Sequence, residues 1–272
     1  MSDSAEEQAG LRDAVRTLLA KRSGSAAVRA AMVSERGYDE QLWGVLCEQI
    51  GVAALAIPEK FGGAGAGLLE THLVLEELGR TLTPTPLLGS GVLAAQLLLA
   101  LDEGEACERL LPGIADGGIA AVCWTGPDGH WDPAGAAVVA ADRTLTGSAH
   151  YVLDGDLADV LLVVAREGDG IAAFEVEPTR PGVTRNRTKA MDPTRRLATV
   201  SFDAAPGRRI GGGDATAALR AARDAACVAL SAEQVGAASR ILELTVEYAK
   251  VRVQFGRPIG SFQALKHRMA DL

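Results

Sequence analysis

The chain has 272 residues and a formal net charge of -8, with 48% hydrophobic and 23% charged residues. This balance excludes an intrinsically disordered chain, and the length allows one large domain or two to three smaller ones with a sizeable core. The acidic surplus disfavours a nucleic-acid partner, because binding phosphates requires clustered Lys and Arg side chains.

Residues 5 to about 115 carry the apolar spacing of amphipathic helices. The pattern is seen at Leu11, Val15, Leu18, Leu68, Leu75 and Leu78. Pro84 and Pro86 then act as helix-stop signals. We therefore predict an N-terminal α-helical domain over residues 1–116.

Between Ile119 and Phe202 the apolar runs become short and rich in Val and Ile, with Gly, Asp and Pro between them. The runs cover residues 120–123, 136–139, 160–164, 171–174 and 198–202. No helix-length stretch separates them, which disfavours a parallel βαβ sheet. We predict a central antiparallel β-barrel or sandwich over residues 117–210, with the basic segment 185–189 as a solvated loop.

The third region, residues 211–272, is predicted to begin a C-terminal helical bundle. A glycine run at 211–213 leads to Asp214, a predicted N-cap, and to an Ala-rich helix from Ala215 to about Val251. A turn at 256–258 precedes a last helix, which is expected to start near Phe262 and still to be running at Leu272. Further helices, from this chain or from a partner, are expected to cover its apolar face.

Cysteine and histidine usage indicates neither disulfides nor a metal site. The four cysteines are Cys47, Cys107, Cys123 and Cys227, and no two form a CxxC pair. We interpret them as buried thiols in a reducing compartment. Acidic residues near the N-terminus do not resemble an export signal, and the apolar run 87–101 is too short for a membrane span. These features predict a cytoplasmic protein without a membrane span.

The segment 252–263, RVQFGRPIGSFQ, is the most informative stretch of the chain. Together with His267 and the ADL at 270–272, it resembles a signature of the acyl-CoA dehydrogenase family. The Gly-rich segment 51–67 and the placing of Gly236 and Tyr248 also resemble that family. The resemblance covers nearly the whole chain in the order helical domain, β domain, helical domain, and it implies a multi-domain α+β fold.

The resemblance implies FAD-dependent α,β-desaturation of an acyl-CoA thioester. In the family a carboxylate removes the α-proton while the β-hydrogen leaves as hydride, and the FAD lies between two subunits. Carried over, Arg252 would bind the pyrophosphate, and Gln254 and Phe255 would contact the same cofactor in the neighbouring chain. Ile259, Phe262 and Gln263 would line its nucleotide end. The alternative for Arg252 is a cation that caps the long helix.

The β domain departs from the family at its own flavin contacts. Thr125 matches a cofactor-binding position of the family, but Trp131 stands where a small serine is usual. In the second flavin element Tyr151 can still stack on a ring. Leu153, however, replaces a hydroxyl residue that bonds near the flavin N5. We therefore expect a weakened flavin site that keeps Thr125 and Tyr151.

No catalytic residue can be assigned. One of the two places where the family carries its base corresponds to Ala226, and the other would lie beyond Leu272. Asp224 is predicted to be a surface residue.

Three functions stay open at this point. The first is an FAD-dependent acyl-CoA dehydrogenase subunit in a homo- or hetero-oligomer, such as a dimer of dimers, that passes electrons to electron-transfer flavoprotein. The second is a non-catalytic subunit that completes a partner's FAD site. The third is a flavin monooxygenase or acyl-CoA oxidase of the same fold. The acyl group, fatty or steroid, is not determined.

Overall fold

The computed structural model describes residues 2–132 and 135–272, and its first layer is helical. The helices are α1 (Ser2–Arg22), α2 (Ser25–Val33), α3 (Glu40–Val45), α4 (Leu68–Thr81), α5 (Ala95–Leu101) and α6 (Gly104–Ala115). Wider π-helical turns at Leu46–Ile50 and Leu87–Ala94 connect some of them, and a 3-10 turn lies at Glu59–Phe61. Within these described ranges, no helix combines the length and apolarity that crossing a bilayer requires.

The second layer is one eight-stranded sheet with the order β6-β7-β3-β2-β4-β5-β8, and β1 pairs with β4. Its strands are β1 (Ala120–Cys123), β2 (Val138–Ala141), β3 (Thr144–Leu153), β4 (Val160–Glu167), β5 (Gly170–Val176), β6 (Val183–Thr188), β7 (Leu197–Pro206) and β8 (Arg208–Ile210). The central β domain is confirmed, but the sheet is mixed rather than wholly antiparallel. The reason is that β1 and β2 both run parallel to β4, pairing with successive stretches of it.

The basic segment around Arg185 and Arg187 lies in a strand, so the prediction of a loop there was wrong. These residues belong to β6, an edge strand that pairs antiparallel with β7. No residue of β6 is fully buried. The segment therefore lacks the apolar run by which the other strands were predicted. Pairing of the backbone with β7 is sufficient to hold this polar strand in the sheet.

The long helix α7 (Thr216–Val251) confirms the Ala-rich prediction. It crosses α4 with the two backbones in direct contact. A Cβ added at Gly236 would lie 1.9 Å from the carbonyl oxygen of Glu76, and one added at Gly79 would lie 2.0 Å from that of Glu233. Side chains thus cannot separate the two helices at this point, and the crossing ties the first and third regions together.

Three details of the third region differ from the predictions. Ala215, not Asp214, occupies the N-cap position of α7; the Asp214 carboxylate instead accepts hydrogen bonds from the backbone N–H groups of Ile171 (2.9 Å) and Thr216 (3.3 Å). The last helix, α8, spans Gln263–Ala270 and does not reach the end of the chain. Cys227 is exposed on α7, whereas the other three cysteines are buried as predicted.

The proposed domain limits fall where the secondary structure changes. Residue 116 follows the end of α6, and residue 210 is the last residue of β8. We retain 1–116, 117–210 and 211–272 as proposed domains.

Candidate functional site

The RVQFG segment folds as a small projecting hairpin at the end of α7. Arg252 is the C-cap of the helix, and β9 (Val253–Gln254) pairs antiparallel with β10 (Arg257–Pro258). The turn between them consists of Phe255 (φ 53°) and Gly256 (φ 74°), one residue earlier than predicted. Positive φ at both central residues is the geometry of a type I′ turn, whose twist suits a two-residue hairpin. Residues 252–263 are called the Arg252 hairpin below.

The tip of the Arg252 hairpin is exposed to solvent, whereas Ile259 and Phe262 at its base are partly buried. Phe255 is 91% exposed, and Arg252 is exposed as well. The Arg252 backbone N–H donates to the Tyr248 carbonyl, but its guanidinium forms no hydrogen bond or ion pair with any described residue, so it does not cap the helix through a carbonyl. The Arg257 guanidinium lies 4.2 Å above the Phe262 ring and braces the base of the hairpin.

Six of the predicted cofactor residues are therefore brought together in this element. They are Arg252, Gln254, Phe255, Ile259, Phe262 and Gln263.

The remaining two predicted residues, Thr125 and Tyr151, lie at a different place. Thr125 is bonded to His150, the neighbour of Tyr151, and Tyr151 lines a crevice of about 360 Å³ between the first helical region, the sheet and α7. We call it the β-layer crevice. It is lined by Leu88, Asp128, Gly129, Trp131, Tyr151, Leu153, Arg195, Leu197 and Leu230.

Thr125 and Tyr151 are already engaged within the sheet layer. Thr125 is buried, and its hydroxyl donates to the His150 carbonyl, while the His150 N–H donates to the Thr125 carbonyl at 2.9 Å. The Tyr151 ring packs over Gly129, where an added Cβ would lie 3.2 Å from the ring. Its hydroxyl lies 3.4 Å from the Pro127 carbonyl oxygen, to which it donates. Both side chains thus connect the β1–β2 loop to β3.

The β-layer crevice does not fit a flavin in this form. The Thr125 hydroxyl is occupied, and the Tyr151 ring lies across the loop that would have to admit a ring system. Leu153 presents only hydrocarbon where a hydrogen-bond donor would be needed. Trp131 packs against Trp124 with ring centroids 5.7 Å apart, so its indole fills space that a small residue would leave open. The exposed guanidinium of the Arg252 hairpin, in contrast, suits a diphosphate, which it can bind through two parallel hydrogen bonds.

The β-layer crevice and the Arg252 hairpin lie far apart along α7: Leu230, near the middle of the helix, lines the crevice, and the hairpin follows its last turn. Near the start of the helix Arg223 donates to the Trp131 carbonyl at the crevice, at 3.4 Å. Arg252 follows the last turn of the same helix, about 33 Å beyond Leu230 at 1.5 Å per residue. One dinucleotide therefore cannot contact both the β-layer crevice and the Arg252 guanidinium of a single copy of the chain.

Two adjacent arginines fasten the sheet layer to both helical regions. Arg195 forms an ion pair with Glu233 of α7. Arg196 binds Asp156 through two nitrogens, at 3.0 and 2.6 Å, and also donates to the Glu35 carbonyl of the first region at 2.6 Å. The loop between β6 and β7 therefore fixes the walls of the β-layer crevice relative to each other.

Asp154 lies beside these arginines, and we expect its replacement to change how stability depends on pH. Burial raises the pKa of its carboxyl group to about 7 from an ordinary 3.8, against the opposing effect of Arg195. The unfolded chain loses this proton near pH 4 and the folded chain only near pH 7, so the free energy of unfolding falls across that window as the pH rises. Asp154→Asn should abolish this decrease in the free energy of unfolding, which is on the order of 3–4 kcal/mol at pH 8.

Urea unfolding at pH 4.5 and pH 8 measures this effect. The gain of Asp154→Asn over the wild type should be larger at pH 8, and Asp203→Asn, at an exposed position, serves as the control. An equal difference at both pH values would contradict the prediction.

Sequence reasoning missed several residues of the β-layer crevice. Leu88, Leu230 and Arg195 come from three separate regions and stand in no recognisable motif. Asp154 was also missed, because nothing in the sequence distinguishes a buried aspartate from an exposed one.

Comparison with known proteins relates the chain to one family along most of its length. The model described as "Acyl-CoA dehydrogenase, N-terminal domain" matches residues 5–118. The model described as "Acyl-CoA dehydrogenase, C-terminal domain" matches residues 215–272. The two matches fall on the first and third regions of the fold.

Individual proteins show the same relationship. The acyl-CoA dehydrogenase IpdE2 of Mycobacterium tuberculosis is 46% identical over 267 residues, which cover 98% of this chain and 71% of the relative. Among solved structures, the ChsE4–ChsE5 complex from Mycobacterium tuberculosis gives a TM-score of 0.86 at 31% identity, covering 97% of this chain and 72% of that chain. A variant of the Tcur3481–Tcur3483 steroid ACAD gives 0.82 at 34% identity, covering 98% and 73%.

Proposed function

The chain belongs to the acyl-CoA dehydrogenase family of flavoprotein oxidoreductases, and on that basis we propose that it is one subunit of a heteromeric acyl-CoA dehydrogenase. In this proposal the Arg252 hairpin completes an FAD site whose main part is held by a different partner subunit. The reaction of the assembly is the α,β-desaturation of an acyl-CoA thioester.

The contrast between the Arg252 hairpin and the β-layer crevice carries the proposal. The hairpin is exposed, and its Arg252 guanidinium has no partner among the described residues. In the wall of the crevice, Tyr151 packs on Gly129 and Trp131 on Trp124, both within this chain. A chain that offers a phosphate-binding element but has closed its own flavin face is suited to donate to a neighbour's cofactor.

The residues of the Arg252 hairpin would divide the work of holding the cofactor. The Arg252 guanidinium would bind the diphosphate, and Gln254 and the exposed ring of Phe255 would contact the same molecule. Ile259, Phe262 and Gln263 would line its nucleotide end. When bound, the flavin supplies a hydride acceptor for the substrate's β-hydrogen.

At the position of α7 that corresponds to the family's base, the chain has no group that can take the α-proton. Ala226 is completely buried and has no group that can take a proton. Asp224 is exposed and engaged with Arg223 at 2.7 Å. In the proposal the carboxylate at this face of the site comes from the partner.

Two relatives favour a heteromeric assembly and a bulky substrate. One solved structure is a complex of two different chains, ChsE4 and ChsE5, and another pairs Tcur3481 with Tcur3483 as a steroid ACAD. We extend this to a hetero-oligomer, such as a dimer of dimers, that acts in the cytoplasm on a CoA thioester with a bulky alicyclic acyl group. Electron-transfer flavoprotein is the proposed electron acceptor.

Flavin content tests the proposal directly. The chain is purified alone and after co-expression with an acyl-CoA dehydrogenase subunit encoded beside it, and bound FAD is measured by its visible absorbance. We expect a colourless protein in the first case and a yellow complex that reduces on addition of acyl-CoA in the second. Near-stoichiometric FAD in the chain alone would overturn the proposal.

A further inference from the structure

Another cavity, of about 790 Å³, lies between the first helical region and α7, and its volume is within the range of small-molecule sites. Its lining comes mainly from α1, α2, the end of α4 and residues 237–244 of α7. We call it the Arg29 groove. We propose that it binds a linear amphiphile with one carboxylate, whose head Arg29 holds and whose alkyl chain lies along α7. The inference goes beyond the proposed function and does not depend on where flavin binds.

The groove is separate from the β-layer crevice. The two cavities share no lining residue. Leu230 lies before Gly236 along α7 and belongs to the crevice, whereas Ile241 and Leu244 lie after it and belong to the groove. Gly236 is the point at which α7 touches the backbone of α4. The helix crossing therefore lies between the two cavities.

Apolar side chains form the floor and one wall of the Arg29 groove. Leu19 of α1 and Val28 of α2 are buried in its floor. Leu82, Ile241 and Leu244 also line it, but they are 54%, 62% and 47% exposed. Exposed aliphatic side chains grouped around one cavity are typical of a binding surface. An alkyl chain that covered them would be stabilised by the apolar area removed from water.

The charges of the groove are positive, although the whole chain has a net charge of -8. Its lining includes four guanidinium groups, those of Arg16, Arg29, Arg80 and Arg240. Arg16 donates to Glu77 at 2.7 Å. Arg80 and Arg240 donate to Glu243 at 2.7 and 3.0 Å. Arg29 forms no hydrogen bond or ion pair with any residue that the structure describes, so one anionic head group would complete the pairing.

Ser25 and Arg29 place two hydrogen-bond donors on the same face of α2. They are four residues apart in the helix, which sets their side chains next to each other, and both line the groove. The Ser25 hydroxyl also has no partner within the described ranges. A carboxylate can accept from a guanidinium and a hydroxyl together. A cationic head group would instead meet the Arg29 charge with one of the same sign.

Two probes with the same alkyl chain and opposite head charges test the proposal. Dodecanoate and dodecylammonium are titrated separately into the purified full chain and followed by calorimetry, below the concentrations at which they form micelles. We expect dodecanoate to bind at least about tenfold more tightly and to lose affinity as NaCl is added. The negative net charge of the chain favours the ammonium at any non-specific site. Equal or tighter binding of dodecylammonium would therefore overturn the proposal.

Substitutions at the two ends of the bound amphiphile test the assigned residues. Arg29→Glu should weaken dodecanoate binding by about tenfold, whereas Arg268→Glu, at an exposed position of α8 outside the groove, should not. Ile241→Ser should weaken it by about fivefold. Its matched control is Val235→Ser, at a position 55% exposed on the same helix but not lining the groove. Melting temperatures verify that each variant folds, and undiminished binding in either Arg29→Glu or Ile241→Ser would refute the site.

The co-expressed complex distinguishes a small ligand from a protein segment as the occupant of the Arg29 groove. We expect dodecanoate to bind the complex as tightly as it binds the chain alone. Loss of binding on assembly would mean that a partner segment covers the groove, which would contradict the proposal. Bound FAD, measured by visible absorbance in the same samples, reports separately on the proposed function.

Discussion

Gly236→Ala is expected to destabilise the chain by about 3–5 kcal/mol, an unusually large effect for one methyl group. The added Cβ would lie 1.9 Å from the Glu76 carbonyl oxygen, 2.8 Å from its carbonyl carbon and 3.1 Å from the backbone nitrogen of Arg80. These are backbone atoms of α4, so no side-chain rotation can relieve the clash. The helices must move apart, which exposes part of the core between them. Urea unfolding followed by far-UV circular dichroism measures the loss.

Gly10→Ala is the matched control for this substitution. Gly10 also lies inside a helix, but an added Cβ there meets no atom within 4 Å. Alanine has the higher helix propensity, so this variant should gain roughly 0.5–1 kcal/mol. Were Gly236→Ala to gain stability in the same way, the close crossing of α4 and α7 would be wrong.

The crossing also matters for the proposed function. α7 contributes Leu230 to the β-layer crevice and carries the Arg252 hairpin at its end. A helix that shifts on α4 would change the direction in which the hairpin projects. We therefore expect Gly236→Ala to reduce assembly with the partner subunit as well as stability, whereas Gly10→Ala should assemble normally.

Arg252→Ala should lower the affinity of the assembled complex for FAD by about 10- to 100-fold. The estimate corresponds to a net loss of about 1.5–3 kcal/mol, the contribution of one hydrogen bond to a charged group. Arg252→Lys should recover only part of the affinity, because an ammonium cannot form the paired contact of a guanidinium. Equilibrium dialysis of the co-expressed complex against free FAD provides the measurement.

Arg268→Ala controls for the general loss of a positive charge near the cofactor. Arg268 is an exposed residue of α8, beyond the Arg252 hairpin, and its replacement should leave FAD affinity unchanged. The stability of the chain alone should be the same in both variants, since the Arg252 side chain has no partner within the described ranges. Unaltered FAD retention in Arg252→Ala would remove the central element of the proposed function.

Local sequence patterns predicted those parts of the fold where the signal and the structure share a short range. The Ala-rich stretch became α7 within one residue of its predicted start, because helix propensity acts over neighbouring turns. The run at 120–123 became β1 with the predicted limits, since all of its residues are apolar and buried. The polar strand β6 was missed for the opposite reason: pairing with β7, not apolar spacing, makes it a strand.

The same distinction applies to the candidate site. The Arg252 hairpin could be predicted as a unit, because its residues are contiguous and its turn is set by two adjacent positions. The β-layer crevice could not, because Leu88, Arg195 and Leu230 are distant in sequence and meet only through packing of the three layers. That Tyr151 lies over Gly129 also depends on a contact between separate segments.

By itself, the sequence determined the family, the order of the three regions and the identity of the hairpin residues, all of which are encoded in local patterns. Only the tertiary structure decided that the flavin contacts of the sheet layer are engaged within the chain while the Arg252 guanidinium has no described partner. The physical reason is that segments distant in the sequence decide whether a side chain is buried and which groups it can bond to. A residue's type restricts those surroundings but does not specify them.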